Sequence, residues 1–359
     1  MITMQNQNRI IEVFALPELV PQNHQCDVCF AIDVLRATTT ITTALQNGAK
    51  EVHPFLTVEE TFQAKQDWLR QNSKRISLQE NATVAHFESK ETIDSAKVAE
   101  TLILGGERHG LPIQGFDAGN SPDSYSPEFV QNRTLFFSTT NGTKAILRAL
   151  ETVQDSSEES EENPKMGAVF LASFLNAQAV VDLTERYFQK RNLDFKKSHS
   201  SFFSRNERIS IVCAGTDGQY TEEDLLLAGC LVERLSSFEL SQENKFRFLL
   251  NVQAENVRAF WQNAIKETQQ TRMNSKPDSD RLFSTLNKKT AQKSNIHSKK
   301  TLFSSDLIET IYSKLLKSRG GQNLRKIHLE KDILFASQLD SLSIVPYLKN
   351  NVILSQSTT

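Results

Sequence analysis

Four acidic residues stand at or just after short apolar runs of this 359-residue chain: Asp33, Glu107, Asp117 and Asp217. Two of them have a guanidinium close by in sequence, Arg36 beside Asp33 and Arg108 beside Glu107. Carboxylates of this kind suit a hard cation such as Mg2+, which prefers oxygen ligands, and an arginine fork matches the oxygens of a phosphate. Hydroxyls gather at the same places. Thr38, Thr39 and Thr40 follow Asp33; Ser138, Thr139, Thr140, Asn141 and Thr143 surround Gly142; Thr216 lies between Cys213 and Asp217. The start of a helix has unpaired N–H groups and a partial positive charge, so each of these turns could receive an anion. Ser, Thr, Asn and Asp are also ordinary caps, and taken one at a time each turn reads equally well as capping with a surface ion pair. The recurrence of one design is what points to metal-assisted chemistry on a polyanion. Cys213 has two readings: a thiol activated at a helix start, or a small buried residue at a strand end.

The elements that hold these residues are strand-turn-helix units. Residues 28–32 form a short apolar run that reads as a buried strand, and residues 38–47 have the pattern of a helix stopped by Gly48. Residues 9–16 predict a neighbouring strand, residues 51–55 another, and residues 58–69 a helix spaced through Val58, Phe62 and Leu69. Strands at residues 133–137 and 167–172, an amphipathic helix over 174–188, a further strand and helix around CAGTDG, a helix over 302–316 ended by Gly320 and Gly321, and a terminal strand or hairpin complete the pattern. Such alternation predicts an α/β fold, layered α/β/α, with a mixed but largely parallel sheet. The glycine-rich loop after residue 104 is expected to be anchored by Leu111, Ile113 and Phe116. Polar stretches at 73–97, 151–165, 191–206 and 266–300 lack periodicity and read as flexible insertions in a single unit spanning residues 1–359.

Composition removes several classes of function. A formal charge of −2 argues against bulk electrostatic binding to nucleic acid or anionic lipid, local patches aside, and no apolar run is near the roughly 20 residues that cross a bilayer. A cytoplasmic protein without nucleic-acid or membrane partners is the expectation. Four cysteines make no disulfide framework, and the Cys26/Cys29 pair lacks a second half to complete a zinc site. There is no GxxxxGK[ST], GxSxG, HExxH or Rossmann GxGxxG.

Six segments, DVLRATTT, LGGER, GFDAGNSP, TTNGT, SFLNA and CAGTDG, occur in the order in which they occur in the 2-phosphosulfolactate phosphatase family, and the chain resembles that family over most of its length outside the polar insertions. The resemblance implies a Mg2+-dependent phosphatase that converts 2-phospho-3-sulfolactate to 3-sulfolactate and phosphate, a step on the route to coenzyme M. It carries over Asp33, Arg36, Glu107 and Asp217 as catalytic residues, and Asp33, Glu107, Asp117 and Asp217 as metal ligands. For the substrate it carries over Thr38, Thr39, Arg108, Asn120, Ser121, Thr139, Thr140, Asn141, Thr143, Cys213 and Thr216. The partner is a small anionic phosphoester, and a homodimer is compatible with such a chain. The competing class is a non-catalytic protein that binds a small phosphorylated or sulfonated anion.

Overall fold

The computed structural model describes residues 8–83, 101–153, 167–198, 206–237, 247–274 and 301–357. Its strands are β1 (Asn8–Phe14), β2 (Val28–Ile32), β3 (Glu51–Pro54), β4 (Leu102–Arg108), β5 (Leu111–Pro112), β6 (Thr134–Ser138), β7 (Ala168–Ala172), β8 (Glu207–Cys213), β9 (Arg247–Leu250), β10 (Ile344–Lys349) and β11 (Val352–Ser357). They make one sheet in the order β5-β4-β6-β3-β11-β10-β7-β2-β8-β1-β9. The helices are α1 (Ala37–Gln46), α2 (Val58–Thr83), α3 (Pro127–Val130), α4 (Gly142–Thr152), α5 (Ala177–Ser198), α6 (Glu222–Ser236), α7 (Val252–Asn274), α8 (Thr301–Lys317), α9 (Arg319–Lys326) and α10 (Glu330–Ala336). The fold is α/β, and its sheet is mixed and mostly parallel, as the alternation predicts.

Strand β2 shows why both faces of the sheet are covered. Its side chains alternate: Val28, Phe30 and Ile32 join the core under α5, α6, α7 and α8, whereas Cys29 and Ala31 join the core under α1 and α4. A strand buried on both faces has no polar side, hence the unbroken apolar run. β1 and β2 are not neighbours, because β8 inserts between them and pairs in parallel with both. Adjacency in sequence predicts pairing only when nothing else fits between.

The hairpin β10–β11 divides the sheet. β10 is antiparallel to β7 and β11 is antiparallel to β3, so β3, β6 and β4 form a second parallel block beyond it. α4 follows β6 in that second block but packs on β2, β7 and β8 of the first. Just past its end, Val153 meets Cys26 at the foot of β2. The crossing carries the turn after β6 to the top of β2, where Asp33 begins.

Several boundaries differ from the sequence reading. α2 continues to Thr83, α5 to Ser198 and α7 to Asn274, into stretches read as insertions. Polar residues such as Gln, Lys, Glu and Arg have good helix propensity, so a helix can outrun the face that packs it. The remainder of those stretches, residues 84–97, 154–165, 199–205 and 275–300, lies outside the described residues. Gly320 and Gly321 do not end α8. They sit in the first turn of α9, where the Ser318 hydroxyl accepts the Gly321 N–H at 3.2 Å. In the glycine-rich loop Phe116 packs edge-on against Phe62, but Leu111 is 55% exposed and anchors nothing. All four cysteines are free and buried.

Candidate functional site

Asp33 is the first residue past β2, and two helix starts converge on it. Its carboxylate accepts the Ala37 N–H at the head of α1. From the other side comes Gly142, the first residue of α4, where an added Cβ would lie 2.5 Å from Asp33 Oδ2. Glycine at 142 is what lets the two blocks close on this carboxylate. Asp33 is 8% exposed, and burial raises its pKa to about 7, with the nearby charge of Glu107 acting in the same direction and the Ala37 N–H opposing.

Glu107 closes one side. Its carboxylate accepts the N–H groups of Thr140 at 2.8 Å and Gly110 at 2.7 Å, tying the loop after β4 to the turn after β6. Arg108 braces the same corner, donating to the carbonyls of Glu107 and Leu56 and to the Ser138 hydroxyl. Arg36 is buried and does not pair with Asp33. It donates to Asp332 at 2.8 Å and to the Gly110 carbonyl at 2.8 Å, while Ser121 donates to the other Asp332 oxygen at 2.6 Å. Asp332, on α10, was not foreseen, and nothing local in its sequence marks it.

The threonines of α1 do not form an anion cradle. Thr38 donates to the carbonyls of Asp33 and Ala172, Thr39 to that of Val34 and Thr40 to that of Asn120. The helix is buried from Ala37 to Leu45, and buried hydroxyls are satisfied internally. In the second turn Thr139 and Thr143 cap each other's N–H groups. Thr140 and Asn141 remain half-buried there, Asn141 makes no side-chain cap, and Lys144 is exposed one step further along α4. Asn120 is buried with its Oδ1 unpartnered.

Asp117 and Asp217 are held elsewhere. Asp117 accepts the Leu104 N–H of β4 at 2.8 Å, and Asp217 is exposed, 3.7 Å from Arg319. Thr216 is committed to a tight turn with Gln219. The acids that reach the site from this region are Glu223 and Asp224, both buried in the first turn of α6 beside the exposed Glu222. Asp224 accepts the Val34 N–H at 2.9 Å and the Gly215 N–H at 3.0 Å, clamping the loop after β2 to the loop after β8. From sequence these residues look only like acids complementing a helix dipole.

Cys213 is fully buried, and burial, with the charges of Asp224 and Glu223, drives its thiol pKa well up. A thiol so held is not an activated nucleophile. Cys213→Ser is expected to keep turnover within about tenfold of wild type; a loss of several orders of magnitude would restore the thiol mechanism.

The bonds of Arg36 make it a brace of the loop. Arg36→Lys keeps a charge but loses the planar fork, so one of the two partners is left unmet, at about 1.5–3 kcal/mol for a bond to a charged group. Melting temperature and activity should fall together, and Asp332→Asn should do the same. A variant whose activity drops at an unchanged melting temperature would instead mark Arg36 as a direct grip on substrate.

A buried acid set at the meeting of two parallel blocks, beside an open helix start, is the arrangement of an α/β enzyme, and the comparisons put that enzyme among the phosphoric monoester hydrolases. The chain belongs to the 2-phosphosulpholactate phosphatase family, which it matches over residues 14–91 and 76–283. It is 35% identical to a probable 2-phosphosulfolactate phosphatase of Caldanaerobacter subterraneus subsp. tengcongensis over 228 residues, 63% of this chain and 69% of the relative. Similar relatives of the same printed name come from Thermotoga petrophila, at 33% over 60% of this chain and 66% of the relative, and Synechococcus sp., at 33% over 63% and 68%.

Proposed function

We propose that the chain hydrolyses 2-phospho-3-sulfolactate, or a closely related phosphoester of a small acidic metabolite, to the alcohol and inorganic phosphate. Membership of the family supports the substrate class. The observation that carries the chemistry is Asp33: a buried carboxylate with a pKa near 7, between the head of α1 and the glycine that opens α4. A base that titrates near working pH is well matched to taking a proton from water. The first turn of α4 presents Asn141 and the exposed Lys144 beside it, and an anion docked there meets the positive end of the helix. In this reading water attacks phosphorus, Asp33 takes its proton, and the α4 turn carries the charge that grows on the phosphoryl oxygens. Arg36, Asp332, Glu107 and Asp224 hold the loops that set this geometry.

The four carboxylates expected to share Mg2+ do not fit one ion, since Asp117 and Asp217 are tied to other partners. Among the described residues no three of His, Cys, Asp and Glu are grouped to hold a metal. Work in the cytoplasm on a diffusing substrate belongs to the same proposal; among the described residues no helix is long and apolar enough to cross a membrane.

Phosphate release from 2-phosphosulfolactate, measured with Mg2+ and again after EDTA, tests both parts. Release in both conditions supports metal-free hydrolysis; release with Mg2+ alone overturns the metal-free steps while keeping the activity. Stabilisation by sulfolactate or phosphate with no release in either condition would establish the binding protein instead.

A further inference from the structure

Cys26 and Cys29 stand at the foot of β2, at the opposite end of that strand from Asp33, and both join the core under α4. Each thiol is hydrogen-bonded to the other. The Cys26 N–H and Sγ–H both donate to the Thr152 carbonyl at the end of α4, at 2.9 and 3.6 Å, and Sγ lies 3.4 Å from the Thr152 hydroxyl. Ser210 supplies a further hydrogen bond to Cys26. This serine of β8 is paired in register with Cys29 on one side and with Glu12 of β1 on the other, and residues so paired point to the same face of a sheet. Its hydroxyl lies 2.7 Å from His24 Nε2, which is itself 3.7 Å from Glu12. A proton can therefore pass from the Cys26 thiol to an imidazole through one hydroxyl. The two sulfurs are unlike. Cys26 keeps 6% of its surface exposed and Cys29 keeps none. Hydrogen bonds, first from Cys29 and then from Thr152 and Ser210, bring the Cys26 thiol below its ordinary pKa against the opposing effect of burial; burial and the neighbouring Cys26 push that of Cys29 well up. The sulfur that ionises more readily is also the one that touches solvent.

We propose that Cys26 and Cys29 form a peroxide-reactive dithiol, in which Cys26 is oxidised first by hydrogen peroxide and Cys29 closes the disulfide. The site is separate from the phosphoester chemistry and stands whether or not the hydrolase reading does. Burial lowers the pKa of His24, so its imidazole is neutral at pH 7 and takes the Cys26 proton by way of Ser210. The Cys26 sulfur attacks one oxygen of the peroxide, the O–O bond breaks, and the departing hydroxide recovers that proton and leaves as water. Cys26 is then a sulfenic acid. The Cys29 sulfur attacks the Cys26 sulfur, the S–O bond breaks, and the hydroxyl leaves with the Cys29 proton as a second water. Two thiols are oxidised by two electrons to one disulfide, and one peroxide is reduced to two waters. Because Cys29 already lies against Cys26, closure precedes a second encounter with peroxide. A small dithiol reverses the change by exchange at the more exposed sulfur.

The test is peptide mass mapping of the full chain after exposure to equimolar hydrogen peroxide under conditions where circular dichroism shows the fold retained, followed by denaturation and alkylation of the remaining thiols. The peptide that carries Cys26 and Cys29 is expected to be lighter by two hydrogens and to take no alkyl group, and dithiothreitol should restore both thiols. Cys213 and Cys230 are the internal controls, since both are fully buried with their thiols held up by burial; the pair should react at least about tenfold faster than either. In Cys29→Ser the sulfenic acid of Cys26 has no thiol to meet and should be trapped by dimedone, whereas in Cys26→Ser the residue at 29 should stay a free thiol. Full alkylation of both cysteines after peroxide would overturn the proposal. So would a sulfinic or sulfonic acid at Cys26 without the crosslink, or a pair that reacts no faster than Cys213 and Cys230. Oxidation of Cys29 in Cys26→Ser at the wild-type rate would overturn the order of the two sulfurs. Should either variant fail to fold, the mapping of the wild type carries the test by itself.

Discussion

Asp33→Asn is expected to lower kcat by about three orders of magnitude or more while raising the melting temperature at pH 7 to 8. The loss follows from removing a base, for which roughly 10²- to 10⁴-fold is usual, at the carboxylate on which two helix starts converge. The gain follows from linkage. Asp33 has a folded pKa of about 7, raised from 3.8 chiefly by burial, so the folded state binds the proton more tightly than the unfolded one. Its favourable contribution is complete below pH 3.8 and is lost as pH rises through 7. The amide carries no charge to desolvate, so the variant's advantage should open between about pH 4 and 7 and then level off. In the wild type kcat/KM should climb over the upper part of that range as the base ionises. Chemical denaturation across pH and a pH–rate profile check both halves, and a variant that is inactive because it is unfolded would contradict the prediction outright.

Arg9→Met should destabilise the protein by about 3–5 kcal/mol without entering the chemistry, the range for breaking a buried pair and leaving charge behind. Arg9 lies on β1 opposite Glu207 on β8 and bonds that carboxylate at 2.6 and 2.8 Å. Its other nitrogen and the same fork engage Glu185 on α5, and the guanidinium also lies over the Phe188 ring, 5.4 Å from its centroid. Methionine fills similar space, yet two buried acids would remain without their cation. The triple change Arg9→Met/Glu185→Gln/Glu207→Gln should recover a substantial part of the loss, because it removes the stranded charges as well. Urea melts of the single and triple variants measure this; equal stability of the two would show that packing, and not charge, sets the cost.

The segments that hold the site could be read from the chain because they rest on local rules. An apolar run followed by a capping cluster gives a strand end and a helix start wherever it lies, and Gly48 at φ +99° stops α1 as its type suggests. Asp33, Glu107 and the turn before α4 were placed by such rules. Arg36 was found but not its partner, because Asp332 lies 296 positions away and an ion pair over that distance leaves no trace in spacing. Asp217, Glu223 and Asp224 raise a related point: all three follow β8, and only the turn geometry shows that Asp217 ends exposed while the other two are buried.

Residue type and periodicity determined that the chain forms strand-turn-helix units with two-sided strands and acids at their ends, since backbone hydrogen bonding and hydrophobic alternation act over a few residues. The tertiary structure decided which ends meet. The hairpin β10–β11 separates two parallel blocks, α4 crosses back between them, and Gly142 and Gly320 permit contacts that no other residue allows without displacement. A carboxylate becomes a base through what it is buried against, and burial is a property of the packed whole.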